Sequence, residues 1–342
     1  MPLRLSPRLR PAPSALPSAR HRSARSTDQR RGCAGSLRDQ PEARRLTNRE
    51  LLEAAARNLL DPQARALLQH VEWWSLADGD RTPELATEPY PLIRIGTGPP
   101  LLLLHGFDSC GLEFRRLAPL LASDHTLLIP DLHGFGFSPR PKPEQGRYGP
   151  EAVLQHLEAL LNQLPQDQPL GLIGASMGGA VAMELARRQP KRIARLLLLA
   201  PAGLDGRPMP IPPGLDRLGV WFLSRPGVRR GLCRQAFADP ERSVGDAELQ
   251  IASLQLQVPG WGPSLAAFAR SGGFAGCGNP LPPQPLHVLW GKNDRILRPP
   301  QRRAAMALLG ERLEEVTDCG HLPHLDQPQL VARRWRQPEM PS

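Results

Sequence analysis

The sequence predicts an α/β fold: a mostly parallel sheet flanked by helices, with a helical cap inserted after the sixth strand. Three observations predict it. From Leu101 onward, short apolar runs alternate with amphipathic segments, the pattern of strands joined by crossover helices. At 170–179, LGLIGASMGG, an apolar run passes through a Gly-x-Ser-x-Gly turn directly into a helix-forming segment, GAVAMELARRQ. The alternation stops near residue 203, gives way to Gly/Pro clusters and short helical stretches, and resumes at LHVLWG, 286–291.

Residues 1–46 are rich in Arg, Pro, Ser and Ala and hold too little apolar surface to offset the entropy of ordering, so disorder is expected there. The formal net charge is +10, but residues 1–50 hold 12 arginines against 4 acids, a net of +8, which leaves +2 for the remainder. The charge thus belongs to a tail rather than to a nucleic-acid-binding face, and no nucleic-acid partner is expected. The Arg/Ser-rich tail has the composition of an organelle transit peptide; a translated region ahead of the true start and a basic arm are the other readings. Five scattered cysteines, odd in number and without metal-ligand spacing, read as reduced thiols in a cytoplasmic protein. No apolar run reaches the roughly 18 residues that a bilayer-spanning helix needs.

Thr47 with Glu50 three residues later reads as a capping box opening a helix to about Leu60, and a second helix follows Asp61-Pro62; together they make an N-terminal helical segment, 47–72. Residues 73–76 and 91–95 read as strands on either side of a polar excursion. LLLL, 101–104, is a buried strand ending in His105-Gly106-Phe107. A helix over 113–122, a strand at 126–131, a Gly-rich turn (DLHGFGFS), a helix over 150–164, the strand and helix around Ser176, and a strand over 193–201 come next. After the excursion, 286–291, 299–309 and 313–318 read as strand, helix and last strand, with a final helix after Pro328. The core is therefore 73–202 with 283–338, and the cap is 203–282.

The chemistry centres on Ser176. Its turn is tight enough that Gly174 and Gly178 must lack side chains, and the hydroxyl would stand on an elbow above a helix N-terminus, where developing negative charge is favoured. A serine hydroxyl needs a base and a group that orients the base. Asp294, just past one strand, and His321, just past the last, supply them in the chain order Ser, Asp, His. His324 competes as base but falls where the loop should turn away. Asp205 competes as acid but reads as a turn residue. Asp131 would hold backbone amides, and His133 would sit at the surface or pocket edge. The amides of Phe107 and Met177 are the candidate oxyanion donors; His105 would steady their loop, and His105, Trp221, Phe222 and Trp261 are the candidate pocket residues. No metal site is expected.

HGFDS at 105–109, DLHGFGFS at 131–138, GASMGG at 174–179, GKNDRIL at 291–297 and CGHLPHLDQP at 319–328 come in the order and at the intervals seen in the α/β-hydrolase superfamily, which the chain resembles from about Leu92 to Arg336. Its cap-bearing esterases, perhydrolase-like proteins and carbon–carbon hydrolases are the most similar in motif. The resemblance implies water-consuming acyl transfer without metal or organic cofactor, and the aromatics of the cap suggest a small, apolar ester as substrate. A vinylogous diketone is the alternative substrate, and a catalytically idle binding protein the third reading.

Overall fold

A computed structural model describes residues 46–76, 88–142 and 147–337. The expected disorder before residue 47 and the polar excursion before Tyr90 lie wholly or largely outside the described residues. The chain opens with α1 (Asn48–Arg57) and α2 (Pro62–Leu68). Thr47 caps α1 as a capping box, its hydroxyl accepting the Glu50 N–H while Glu50 Oε2 accepts the Thr47 N–H at 2.8 Å. Asp61 caps α2 through Oδ1 and receives Arg115 Nε on Oδ2 at 2.8 Å, which ties this segment to the rest of the fold.

The core runs β1 (Val71–Trp74), β2 (Tyr90–Ile95), β3 (Pro100–Leu104), α3 (Ala118–Leu121), β4 (Thr126–Pro130), α4 (Pro150–Asn162), β5 (Leu170–Ala175), α5 (Met177–Arg188) and β6 (Ile193–Leu199). Five helices intervene: α6 (Leu215–Leu223), α7 (Pro226–Ala236), α8 (Pro240–Ser243), α9 (Asp246–Ser253) and α10 (Trp261–Arg270). Then come β7 (Leu286–Gly291), α11 (Pro299–Leu309), β8 (Leu313–Val316), α12 (Pro323–Asp326) and α13 (Pro328–Arg336). Among the described residues no helix is long and apolar enough to cross a membrane.

Several elements depart from the sequence reading: the short helix α12 is unexpected, and α1 and β8 end earlier than expected. β1 opens at Val71, so it straddles the boundary set at residue 73. The helix expected over 113–122 is broken into a 3₁₀ turn (Gly111–Phe114) and α3. Pro119 explains the break: it has no N–H to give the carbonyl four residues back and its ring would press on that turn.

The eight strands form one sheet in the order β1-β2-β4-β3-β5-β6-β7-β8, antiparallel at β1/β2 and β2/β4 and parallel elsewhere. Both faces are covered, so the inner strands are apolar runs rather than alternations. In β3, Leu102 and Leu104 join the core beneath α4 and α5, while Leu101 and Leu103 join the opposite core with Phe114, Val331 and Trp335. β3 has β4 on one side and β5 on the other, so the strand order reverses there. That is where an open parallel sheet leaves a crevice at its C-terminal edge.

Candidate active site

Ser176 follows the end of β5 beside that crevice, with φ 51° and ψ −118°. A non-glycine residue in this conformation is strained, and the surroundings hold it there. Its N–H donates to the Leu199 carbonyl at 2.9 Å, and its own carbonyl accepts from Gly179 at 2.9 Å and Ala202 at 3.0 Å. The flanking glycines are required by close approach. A Cβ on Gly174 would lie 2.3 Å from the Gly178 carbonyl oxygen, and one on Gly178 would lie 2.1 Å from that of Leu104.

His321 and Asp294 meet Ser176. Nε2 of His321 is 2.9 Å from the Ser176 Oγ, and Nδ1 is 2.9 Å from Asp294 Oδ2. With a carboxylate facing Nδ1, that nitrogen carries the proton, and the Nε2 lone pair faces the hydroxyl. Asp294 stands on the turn after β7, where Oδ1 accepts the N–H groups of Ile296 at 2.8 Å and Leu297 at 3.1 Å. Burial alone would raise its pKa, but the hydrogen bond and charge of His321 and the two amides outweigh it, and the carboxyl is held below its usual range. Its side chain is 1% exposed.

The histidine loop is anchored from the inserted helices. The His321 N–H donates to the Ala236 carbonyl at 2.7 Å, and Asp326 Oδ2 accepts from both Gly320 and Ala238. Gly320 cannot carry a side chain, because a Cβ would lie 2.4 Å from the Ala236 carbonyl oxygen. Cys319 behind it is fully buried and its thiol is pushed up by burial, so it is a filler rather than a nucleophile.

The loop after β3 faces the same point. His105 is fully buried; its Nε2 accepts the Leu132 N–H at 3.0 Å and its Nδ1 sits 2.8 Å from the Gly106 carbonyl, which fixes Nδ1–H as the donor. Gly106 N–H is taken by Glu113 Oε2 at 3.3 Å. The next amide, Phe107, and that of Met177, the first residue of α5 and thus without a carbonyl one turn back, are the two candidate oxyanion donors.

A cavity of about 320 Å³ opens over Ser176 and His321. Leu223, Leu232, Phe237, Ile251 and Leu325 supply much of its apolar wall. Its two cations are already neutralised: Arg115 by Glu248 at 2.5 Å and Asp61, Arg229 by Asp108 at 2.8 Å. Asp108 also receives the Trp261 indole N–H at 2.8 Å and Gln255 Nε2 at 2.7 Å on Oδ1. One carboxylate next to Phe107 therefore gathers three elements of the insertion.

Of the expected pocket residues, none lines this cavity. Trp221 and Phe222 stand on the outer face of α6, about half exposed, because α6 packs inward through Asp216, Val220 and Leu223 instead. Trp261 is buried behind Asp108, and His105 lies under its own loop. His324 is buried with Nε2 3.0 Å from Glu113 Oε1, paired there rather than with Ser176; Glu113, despite burial, is held down to about 2 by this histidine. Asp205 is exposed. Asp131 accepts the Gly111 and Phe137 amides, as its turn suggested. His133 is not at a surface: it is 1% exposed, bonded to the Tyr90 hydroxyl at 2.9 Å, and burial lowers it to about 4. Sequence reading missed Asp108, Glu113 and Arg229. For Asp108 a signal existed, since it directly follows the loop residue Phe107; the other two lie in ordinary helical text. Among the described residues no cluster of three or more His, Cys, Asp or Glu could hold a metal.

Comparison with known proteins matches residues 101–334 to the family described as alpha/beta hydrolase. The chain is 31% identical over 246 residues to 2-hydroxymuconate semialdehyde hydrolase of Pseudomonas sp. (strain CF600), covering 68% of this chain and 83% of that protein. It is 30% identical over 290 residues to alpha/beta hydrolase domain-containing protein VTE7 of Arabidopsis thaliana, covering 81% and 86%. Among solved structures, a thermophilic esterase from Thermogutta terrifontis superposes with a TM-score of 0.60 at 25% identity, covering 78% of this chain and 96% of that one.

Proposed function

From the premise that this chain belongs to the alpha/beta hydrolase family, we propose that it is a serine hydrolase that cleaves a small apolar carboxylic ester through Ser176, His321 and Asp294. The observation that carries the reading is the chain of two 2.9 Å contacts from Asp294 through His321 to Ser176 at the mouth of an apolar cavity. Nε2 of His321 takes the Ser176 proton as Oγ attacks the ester carbonyl carbon. The carbonyl oxygen, now an anion, is held by the Phe107 and Met177 N–H groups. Collapse breaks the ester C–O bond and the departing alcohol takes the proton from His321. Water then attacks the acyl-enzyme with His321 again as base, and the acid leaves with Ser176 restored. The depressed carboxyl of Asp294 keeps its charge beside the imidazolium that forms twice in this cycle. The helices of 203–282 act as a cap that walls the cavity and holds the His321 loop.

A relative named 2-hydroxymuconate semialdehyde hydrolase favours a second reading, cleavage of a carbon–carbon bond in a vinylogous diketone. A muconate carries a carboxylate, and both cations lining this cavity are already matched by carboxylates, which favours an uncharged ester. The test is Ser176→Ala assayed on short p-nitrophenyl esters: we expect a loss of at least about 10³-fold with an unchanged thermal melt. Retained ester hydrolysis in that variant, or a wild-type protein that a fluorophosphonate fails to label, would remove the proposal. A wild type that is faster on the diketone than on any ester would select the second reading.

A further inference from the structure

α6 is apolar on both sides. Its inner arc carries Val220 and Leu223, the latter lining the cavity, while Asp216 is buried against Arg270. Its outer arc carries Leu215, Leu218, Trp221 and Phe222, each 53–59% exposed. At 100° per residue these four fall within an arc of about 120°. The segment leading into α6 extends the patch with Met209, 80% exposed, and Ile211. A soluble surface rarely leaves so many large side chains together without a partner.

Within residues 206–230 the exposed charge has one sign. Between Gly206 and Arg230 the only acid is Asp216, and it points inward; Arg207, Arg217, Arg225 and Arg230 are exposed. The Arg225 guanidinium lies over the Trp221 ring at 4.1 Å, so an amphipathic indole and a cation share the rim. Apolar side chains flanked by arginines, with no exposed acid between them, match a bilayer interface that carries negative lipid headgroups. A two-fold contact with a second copy would set these same arginines against each other.

We propose that α6 and the segment before it dock this protein onto an anionic lipid bilayer. Leu223 of α6 and Leu232 of α7 line the cavity, so docking sets its wall beside the membrane. An ester dissolved in the acyl region then reaches the site without crossing water; this consequence rests on the ester reading, whereas the docking does not.

The test is sedimentation of the full chain with vesicles of phosphatidylcholine alone or mixed with phosphatidylglycerol. Wild type and Ser176→Ala should bind the anionic vesicles equally, which separates docking from chemistry. The double variant Leu218→Glu/Trp221→Glu should bind at least about tenfold more weakly while its thermal melt is unchanged, since both side chains are exposed. A second pair, Arg217→Glu/Arg225→Glu, should lose the preference for anionic over neutral vesicles. Equal binding by wild type and both variants would trace any affinity to the Arg-rich residues 1–45 and overturn the proposal, as would no binding by wild type. A concentration-dependent dimer abolished by Leu218→Glu/Trp221→Glu would make the face a subunit contact and also overturn it.

Discussion

The sheet and the helices inserted between β6 and β7 share apolar clusters but differ in what else holds them. In the sheet, Leu101–Leu104 and Leu196–Leu199 are completely buried, and strand pairing satisfies their backbone groups. The insertion keeps large apolar side chains in water, and ion pairs help join it to the rest: Arg229 to Asp108, and Arg115 and Arg116 to Glu248. The candidate site needs both. Ser176 and Asp294 stand at strand ends, whereas the loop of His321 leans on Ala236 and the loop of Phe107 is pinned through Asp108. The sheet positions the strand-end residues, and the insertion closes over them through a joint of buried apolar side chains together with these ion pairs.

The largest expected effect tests the sheet-borne half. In Asp294→Asn the amide oxygen stays with the Ile296 and Leu297 N–H groups, so the NH2 faces Nδ1 and the imidazole proton moves to Nε2, toward Ser176. Activity on p-nitrophenyl esters should fall by about 10³–10⁴-fold at pH 7 with the melt little changed. A fall below tenfold would mean that another acid orients His321.

Gly178→Ala comes next and is read as stability. Its Cβ would meet the Leu104 carbonyl oxygen at 2.1 Å and that of His105 at 2.7 Å, both backbone atoms of the central strand and its loop. Nothing flexible can move aside, so a loss of about 4 kcal/mol or an insoluble product is expected. A comparable change in the insertion, Gly231→Ala, meets nothing within 4 Å and should be neutral by denaturant titration.

Acid should attack the sheet side first. The insertion, 203–282, contains no histidine. The other side buries His133 and His156, and burial holds both in the neutral form, His133 down to about 4 and His156 well below its usual value. For a histidine with a depressed folded pKa, the unfolded chain binds the proton first. Its stability is therefore fully present above about pH 6.5 and lost as pH falls toward about 4. For His133 alone the span corresponds to about 3 kcal/mol. His156 has no hydrogen-bond partner for either ring nitrogen among the described residues and stacks on Tyr90 at 4.7 Å. His156→Leu should flatten the pH dependence of the thermal midpoint between pH 6.5 and 4; an unchanged slope would mean that it is not neutral in the fold.

Loosening the joint should cost activity more than stability. Arg229→Met removes the cation that fixes Asp108, a residue held at φ 50° beside Phe107. If one oxyanion donor is displaced without being lost, kcat should fall by about 10- to 100-fold, less than the full loss of a donor. Adding Asp108→Asn to Arg229→Met removes the unpaired carboxylate, keeps the acceptor for Trp261 and Gln255, and should recover part of that loss. Equal effects of the two variants on the melt, with kcat unchanged, would reduce the joint to a structural one.

The same contrast decides what the sequence could tell. The inner strands β3 to β7 were legible because inner strands of a parallel sheet are short apolar runs, whereas the edge strands β1 and β8 carry charged residues and the start of β1 was misplaced. The candidates Ser176 and Asp294 each follow an apolar run, and His321 follows the last strand. The insertion was legible only as an interruption. Its partners lie far away along the chain, as Arg229 and Asp108 do at 121 residues and Arg115 and Glu248 at 133, and no local pattern links them. The aromatics misled for the same reason. Trp221 and Phe222 look like pocket walls, but the period of α6 places a second apolar arc inward, and that arc lines the cavity.

The smallest effect sharpens the comparison most directly. Leu103 and Leu218 are the same side chain in the two regions, one completely buried under α13 and the other 58% exposed on α6. Leu103→Ala removes contacts on every side and leaves a space that β3, paired on both edges, cannot close; about 2–5 kcal/mol should be lost. Leu218→Ala gives up little, because most of that side chain already faces water, and the change should stay within about 0.5 kcal/mol. Denaturant titration of both variants reads the difference. A cost above about 2 kcal/mol at Leu218 would mean that this leucine is covered in solution without any membrane, and that the outer arc of α6 already has a partner within the protein or in a second copy.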